Sequence, residues 1–244
     1  MRQVNVPVRA KALLQTIGRI ADQRGMNAYA VGGCVRDWVL GIVKATTDVD
    51  VTVEGNGIEV ARAGADALGG TIEVHPQFGT ATVLLQRAVG RGRIRVDFAS
   101  CRRETYARPA AYPRVSAGTL EEDLFRRDFT INAMALVLAP GRFGALIDPF
   151  GGARDLRMRR LRILHDRSFL DDPSRILRGI RFAQRFGFSW ERATRRAMQA
   201  AVSAGALGWL NAGRFHKELD RMCDEPDPRA CFQHLADLLN TAAR

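Results

Sequence analysis

Residues 46–55, TTDVDVTVEG, place two carboxylates inside a run that otherwise has the composition of a buried β-strand. Side chains alternate between the two faces of a strand, so Asp48 and Asp50 point to one face and the valines to the other. Two like charges side by side repel each other, and a divalent cation removes that conflict because Mg²⁺ prefers oxygen ligands. The pattern therefore predicts either a magnesium-binding strand or a solvent-exposed strand face that carries two aspartates by chance.

The composition is that of a globular chain with a large positive charge. Of the 244 residues, 46% are hydrophobic, and the four cysteines and four histidines lack the spacing of a zinc site or a disulfide framework. No apolar run reaches the ~18 residues of a membrane span and no signal-peptide pattern is present, so we expect a cytoplasmic protein. The net charge is +11, and thirteen arginines against five acidic residues lie between Arg154 and Arg196. This segment predicts a polyanion partner or, equally, a solvated helix surface.

The periodicity of the hydrophobic residues predicts an α+β fold. Residues 1–150 are predicted as a head with a small mixed β-sheet flanked by helices, and residues 151–244 as an all-helical neck. Helices are predicted over about 8–24, 34–41 and 58–68, and every segment after Asp172 reads as helix. Strands are predicted in AYAV, DVDVTVE, TIEV, TATVLLQ and RIRVDFA, with short ones near 135–138, 145–147 and 160–164, while residues 102–118 read as a loop.

The segment AYAVGGCVRD, residues 28–37, reads as a strand, a glycine turn and the start of a helix. Gly32 and Gly33 allow a polyphosphate to approach the backbone, and the N–H groups of the next helix favour an anion. Arg36, one turn into the helix, would bind phosphate oxygens in bidentate fashion. The alternative is a plain strand-to-helix turn, and the segment is not a P-loop because no GK[ST] follows.

A phosphate-binding turn followed by two strand carboxylates is what metal-assisted nucleotidyl transfer requires, because two metal ions stabilise the attacking and leaving oxygens. Asp97, in RVDFA, is either a third catalytic carboxylate or an exposed strand residue. In EEDLFRRDFTINAMAL, Arg127 supplies a cation for a triphosphate, and Asp128 and Asn132 supply hydrogen-bond partners for ribose. The alternative for Asp128 is a helix cap or an ion pair.

The segment FLDDPSRILRGIRFAQRFG, residues 169–187, predicts a helix with Asp172 as its N-cap and three arginines at steps of three, Arg175, Arg178 and Arg181. Asp172 and Arg175 present an acceptor beside a fork of donors. Cytosine and adenine match this pair, because each shows an amino group next to a ring nitrogen acceptor. Uracil and guanine present a ring N–H to the arginine, and leaving such groups unpaired costs ~1–3 kcal/mol each.

Five ordered segments resemble the class II tRNA nucleotidyltransferase and bacterial poly(A) polymerase family of the polymerase-β superfamily: GGCVRDWVLG, TTDVDVTVEG, EEDLFRRDFTINAMAL, LIDPFGGARDL and DDPSRILRGIRFAQRFGF. The resemblance covers residue 28 to about residue 218. It implies a catalytic head and a helical neck that binds the base of ATP or CTP, with Mg²⁺ as cofactor and a tRNA 3′ end as acceptor. Magnesium would be bound by Asp48 and Asp50. The nucleotide would be bound by Gly33, Arg36, Arg127, Asp128, Asn132, Asp172, Arg175, Arg178 and Arg181. The head-to-neck hinge would contain Asp148, Gly151, Gly152, Asp155 and Leu156.

Two features depart from the family pattern. Asp171 stands where glutamate often begins the neck motif, and the sequence ends at Arg244 where family members usually continue into body and tail domains that bind tRNA. The short loop RRETYARPAAYPRV looks like those of members that add only part of CCA, often the terminal A. We predict a tRNA nucleotidyltransferase that adds CMP and/or AMP without a template. The alternatives are a poly(A) polymerase with the same site and a non-catalytic RNA-binding head and neck.

Overall fold

The computed structural model describes residues 3–43, 47–86 and 93–242, and the chain forms two compact units. The first unit contains residues 1–103, 116–127 and 131–153, and the second contains 104–115, 128–130 and 154–244. The units are interleaved in sequence, because two short segments before residue 150 belong to the second. The division at residue 150 remains a prediction, and each unit is described by itself.

Helices and strands alternate in the first part of the chain, and helices predominate in the second. The strands are β1 (Asn27–Val31), β2 (Thr47–Glu54), β3 (Thr71–His75), β4 (Thr80–Gln86), β5 (Arg93–Ser100), β6 (Arg102–Thr105), β7 (Arg114–Ala117), β8 (Ala135–Val137), β9 (Leu146–Ile147), β10 (Arg160–Leu161) and β11 (Ser189–Trp190). The helices are α1 (Val8–Asp22), α2 (Gly33–Val39), α3 (Gly57–Leu68), α4 (Leu120–Phe125), α5 (Gly152–Arg157), α6 (Ser168–Asp171), α7 (Ser174–Phe186), α8 (Arg192–Ser203), α9 (Ala212–Cys223) and α10 (Pro228–Ala242).

The first unit is built on a seven-stranded sheet of order β3-β4-β5-β2-β1-β8-β9. Strands β2 and β5 run parallel, and the other neighbours are antiparallel. The alternation predicted for β2 is confirmed, because Val49, Val51 and Val53 are buried while Asp48 and Asp50 are exposed. Burial of each valine contributes ~1.5–3 kcal/mol, which fixes the register that leaves both carboxylates on the open side.

Two parts of the secondary structure differ from the sequence prediction. Residues 102–118 were predicted as a loop, but β6 and β7 form a two-stranded sheet within them. The residues after Asp172 were predicted as helices, but Ser189–Trp190 is a short strand that pairs in parallel with β10. In both places the strands have only two to four residues, too few for a period of two to stand out.

The second unit is organised around α7. This helix packs against α9 and α10, and it ends because Gly187 adopts a left-handed conformation with φ of +62°. Phe129, Phe169 and Trp190 form an aromatic cluster with ring centroids 6.1–6.4 Å apart. Among the described residues, no helix is both long and apolar enough to cross a bilayer.

Candidate active site

Three carboxylates share one open face of the first unit's sheet. The parallel pairing of β2 and β5 places Asp50 opposite Asp97 and Asp48 opposite Arg95. Thr82 Oγ1 donates to Asp97 Oδ1 at 2.6 Å, and Arg95 Nε donates to Asp97 Oδ2 at 2.8 Å. Asp97 is therefore held in a fixed orientation beside the strand pair.

The glycine turn faces these carboxylates. Gly32 has φ of +73°, and a β-carbon placed on it would lie 2.9 Å from Arg127 Nη1 and 3.4 Å from Asp50 Oδ2. A side chain at this position would fill the space between the turn, the arginine and the carboxylate. The turn, Asp50 and Arg127 thus converge on one point within the first unit.

Arg127 is anchored at one end and has an unsatisfied donor. Its Nη2 donates to Asp123 Oδ2 at 3.0 Å, and Arg126 donates to the other oxygen of the same buried carboxylate. Burial alone would raise the pKa of Asp123, but the charges of Arg127 and Arg126 outweigh it and hold the pKa below its usual value. Arg127 Nε is buried with no hydrogen-bond partner. An unpaired buried N–H costs ~1–3 kcal/mol, so an anion at this arginine would gain a ready donor.

The electrostatics of Asp50 favour a bound cation. Arg127 lines a recess of about 320 Å³ together with Asp50, Asp97 and Arg95. Asp50 keeps contact with water, but the protein atoms around it in the recess reduce its hydration and so raise its pKa. The charges of Asp97 and Asp48 raise the pKa further, against the opposing effect of Arg127. A cation beside these oxygens would relieve the repulsion.

The donor set fits a magnesium ion that shares its ligands with a substrate. Among residues 3–43, 47–86 and 93–242, no three His, Cys, Asp or Glu side chains form a closed metal cage. Mg²⁺ is usually held by one or two carboxylates and completes its octahedral shell with waters and phosphate oxygens. Asp48 and Asp50 supply that number of carboxylates beside the Gly32–Gly33 turn.

Arg36, predicted to bind phosphate, lies next to the turn in a buried network. Only 4% of it is exposed, its Nη1 donates to Asn132 Oδ1 at 2.7 Å, and its Nη2 donates to Asp37 Oδ1 at 2.7 Å. A β-carbon on Gly33 would lie 3.5 Å from Arg36 Nη2. These contacts hold the Arg36 guanidinium in place next to Gly33. The contact between Arg36 and Asn132 was not predicted from the sequence.

In the second unit, Asp172 and Arg175, the predicted base-reading pair, each form hydrogen bonds with other residues of the protein. Asp172 Oδ1 accepts from the backbone N–H of Ser174 at 3.0 Å and from Arg214 Nη2 at 2.5 Å. The N-cap of α7 is Pro173 and not Asp172 as predicted, because the helix begins at Ser174. Arg175 is buried, and its Nη1 donates to Ser168 Oγ at 2.7 Å. Both side chains are thus held in place, and Arg214 was missed because it lies 42 residues from Asp172.

Arg178 and Arg181 of α7 form ion pairs within the second unit. Arg178 donates to Asp128 Oδ2 through Nε at 2.9 Å and Nη2 at 2.6 Å, and the charge of Asp128 raises the pKa of Arg178. Arg181 donates to Glu218 at 2.7 Å and to Glu225 at 2.9 Å. Asp128 therefore orients Arg178, and Arg181 ties α7 to α9 and to the turn that follows it.

The residues of the predicted hinge have local roles in each unit. Asp148 accepts from the backbone N–H groups of Gly152 at 2.6 Å and Ala153 at 3.0 Å, which caps the start of α5. Gly151 has φ of +76°, and Leu156 is buried. In the second unit, Asp155 accepts from Thr130 Oγ1 at 2.5 Å and from Arg162 Nε at 2.8 Å. A hinge motion here stays a prediction.

Two further residues of the carboxylate face, Thr82 and Arg95, were not predicted from the sequence. Arg95 could have been found, because it lies two residues before Asp97 in the same strand and so shares its face. Thr82 could not, because its approach to Asp97 depends on the antiparallel pairing of β4 with β5.

The model of the family described as the poly A polymerase head domain matches residues 28–162. The chain belongs to this family. The resemblance inferred from the motifs is confirmed, and nucleotidyltransferases of this family generally use divalent metal ions.

Curated and solved members of the head-domain family are similar to this chain over most of its length. An A-adding tRNA nucleotidyltransferase from Halalkalibacterium halodurans is 40% identical over 228 residues, which cover 93% of this chain and 52% of the relative. A second, from Aquifex aeolicus, is 47% identical over 194 residues, which cover 80% of this chain and 23% of the relative. The solved structure of a CCA-adding enzyme in apo form II has a TM-score of 0.88 at 39% identity, covering 98% of this chain and 57% of that one. The predicted fold class is confirmed, and the chain spans about half or less of the length of these curated relatives.

Proposed function

We propose that this chain adds AMP and/or CMP from ATP or CTP to the 3′ end of tRNA without a nucleic-acid template. One observation carries the proposal: Asp48, Asp50 and Asp97 share a sheet face that meets the Gly32 turn and Arg127. That combination unites hard oxygen ligands with an anion-binding arginine in one recess. Both relatives described above bear A-adding names, which favours AMP as the transferred group. A cytoplasmic location is proposed together with the tRNA substrate.

In the first unit, Asp48 and Asp50 would hold Mg²⁺, and Asp97 would complete the acidic surface. Bound Mg²⁺ supplies stabilisation of the negative charge on the attacking and leaving oxygens. Arg127 and the backbone of the Gly32–Gly33 turn would orient the triphosphate, with the Arg36 guanidinium held next to Gly33. The RNA 3′-hydroxyl would lose its proton to solvent and attack the α-phosphate in line. A new P–O bond would form as the bond from the α-phosphorus to the α–β bridging oxygen breaks and pyrophosphate leaves.

In the second unit, Asp172 and Arg175 would read the base. An ionised carboxylate has about four lone-pair positions, so Asp172 can accept from a base amino group while it keeps Arg214 and Ser174. Arg178, oriented by Asp128, would support the nucleotide. Arg181 would act only through the position of α7, because its donors are taken by Glu218 and Glu225.

The test is nucleotide incorporation into tRNA transcripts that lack the last three nucleotides, lack only the last one, or are complete. Each labelled nucleoside triphosphate is supplied separately, with Mg²⁺ or with a chelator. We expect Mg²⁺-dependent incorporation of AMP or CMP and poor use of GTP and UTP. Asp50→Asn should lower the rate more than about 100-fold, since even residues that only orient metal ligands change affinity or activity by 10–100-fold.

The matched control is Asp66→Asn, which removes an exposed carboxylate of α3 that does not line the recess. Parental activity in Asp50→Asn would refute the catalytic assignment. Long tails on unstructured RNA would identify a poly(A) polymerase instead. A folded chain that binds tRNA but incorporates nothing would be the non-catalytic module.

A further inference from the structure

The second unit carries a recess of about 580 Å³ that none of the proposed catalytic or base-reading residues lines. Its wall is formed by the loop residues 108–112 together with Trp209 and Asn211. Two aromatic side chains on this wall are exposed, Tyr112 by 74% and Trp209 by 44%. Large apolar rings left in contact with water at a concave surface mark a binding site more often than a lone exposed side chain does.

The Tyr112 ring is fixed in place although it is exposed. Asn211 Nδ2 donates to Tyr112 Oη at 2.7 Å, and the Arg214 guanidinium carbon lies 5.9 Å from the ring centroid. The loop is docked by the backbone N–H of Ala110, which donates to the carbonyl of Leu170 at 2.9 Å. A ring held this way loses little freedom when a planar ligand stacks on it.

The chemistry of the wall fits single-stranded nucleic acid. Among the described residues that line the recess, Arg108 supplies positive charge and none is acidic. Aromatic rings accept bases of any sequence by stacking, and arginine binds the phosphates between them. A second protein copy or an apolar peptide would match the rings but gain nothing from Arg108 and the amide of Asn211.

We propose that this recess binds unpaired nucleotides of the RNA acceptor, with bases stacked on both Tyr112 and Trp209. The proposal rests on the proposed function, because it assigns the ligand as the RNA end to be extended. Arg214 connects the two assignments: the guanidinium that lies over Tyr112 also donates to Asp172, the proposed base-reading carboxylate. An RNA nucleotide on Tyr112 would therefore border the residues that select the incoming base.

The test measures fluorescence anisotropy of a fluorescein-labelled single-stranded tetraribonucleotide ending in two cytidines, without metal or nucleoside triphosphate. Stacking on one aromatic side chain is worth ~1–3 kcal/mol per base, so Tyr112→Ala and Trp209→Ala should each weaken binding by about 5- to 100-fold. Tyr112→Phe keeps the ring and should bind within about threefold of the parent. The matched control is Phe232→Ala, which removes an exposed ring of α10 in the same unit and should bind as the parent does.

Three results would overturn the proposal. The first is that the alanine variants bind the tetranucleotide as the parent does. The second is that they lose as much affinity for blunt duplex RNA as for the tetranucleotide, which would indicate a phosphate-binding surface without stacking. The third is that sedimentation shows a parental dimer converted to a monomer while RNA binding is unchanged. Failure of the proposed function is recognised separately. A parent that binds the tetranucleotide through both rings but incorporates no nucleotide keeps this inference and loses the catalytic one.

Discussion

Replacement of Gly179 by alanine tests whether the aromatic cluster of the second unit is packed as tightly as its contacts indicate. Gly179 lies within α7, and a β-carbon placed on it would be 2.2 Å from Trp190 Cη2 and 2.7 Å from Phe129 Cζ. Carbon atoms in contact normally lie ~3.5–4.0 Å apart. Both rings are buried, and Phe169 packs 6.4 Å from each of them between centroids, so no ring can turn away freely.

The magnitude follows from two opposing effects. Alanine is favoured over glycine in a helix interior by ~1 kcal/mol, which would stabilise the variant. Overpacking of a tight core costs ~1–3 kcal/mol, and an overlap of more than ~1 Å with two rings belongs at the upper end. We expect a net loss of ~1–2 kcal/mol. For a chain of this size that loss lowers Tm by ~2–8 °C.

The assay is differential scanning calorimetry of the parent, Gly179→Ala and the control Gly213→Ala. Gly213 lies in the first turn of α9, and a β-carbon placed on it would lie 3.7 Å from Asn211 Oδ1, which is an ordinary contact distance. The control should be as stable as the parent or gain up to ~1 kcal/mol. If Gly179→Ala gains stability as the control does, the rings are not packed around α7 as described.

Two further variants test the charges of each unit. Asp50→Asn should be more stable than the parent at pH 7. Because the pKa of Asp50 is raised in the folded chain, the folded state keeps this proton to a higher pH than the unfolded state does. The stability of the parent therefore falls as the pH rises from the ordinary pKa of ~4 through the raised pKa of the folded state. Thermal melts should show that this advantage disappears near pH 3, and an equal difference at both pH values would contradict the assignment. Arg181→Met should cost ~1.5–3 kcal/mol in urea denaturation, because Glu218 and Glu225 each lose a charged hydrogen-bond donor while Glu218 keeps Arg221 and Glu225 keeps Arg185. The exposed Arg192→Met of α8 is its control and should change stability little.

The strand that carries the acidic residues was predictable because its evidence is local. Alternation over residues 47–54 separates the valines from Asp48 and Asp50 whatever the rest of the chain does. The pairing of Asp50 with Asp97 was not predictable in the same way, because it depends on β5 lying parallel to β2 and in one particular register. Periodicity identifies the two strands, but it does not show which strands pair with each other.

For the arginines of α7, the sequence showed a local pattern but not the residues that contact it. The family resemblance implied that the arginines at steps of three bind the nucleotide, but the partners of Arg178 and Arg181 lie far away in sequence. Glu218 and Glu225 are 37 and 44 residues from Arg181, and Asp128 is 50 residues from Arg178. A helix-period pattern of charge cannot distinguish a ligand-binding row from buried ion pairs, because the sequence does not show which acids fold back onto the helix.

The contrast between the two charge clusters supports the proposed catalytic role of the carboxylates on the sheet. In the second unit, Arg178 and Arg181 are matched by buried carboxylates, which is what stabilisation of a folded unit requires. In the first unit, Asp48 and Asp50 have no ion pair within the described residues, and their mutual repulsion helps to raise the pKa of Asp50. Folding alone would favour removal of such a pair, since uncompensated like charges lower stability. Asp48 and Asp50 lie beside a turn that has no room for a side chain and beside an arginine with an unpaired N–H. Binding of a cation and a phosphate between these groups would explain that position.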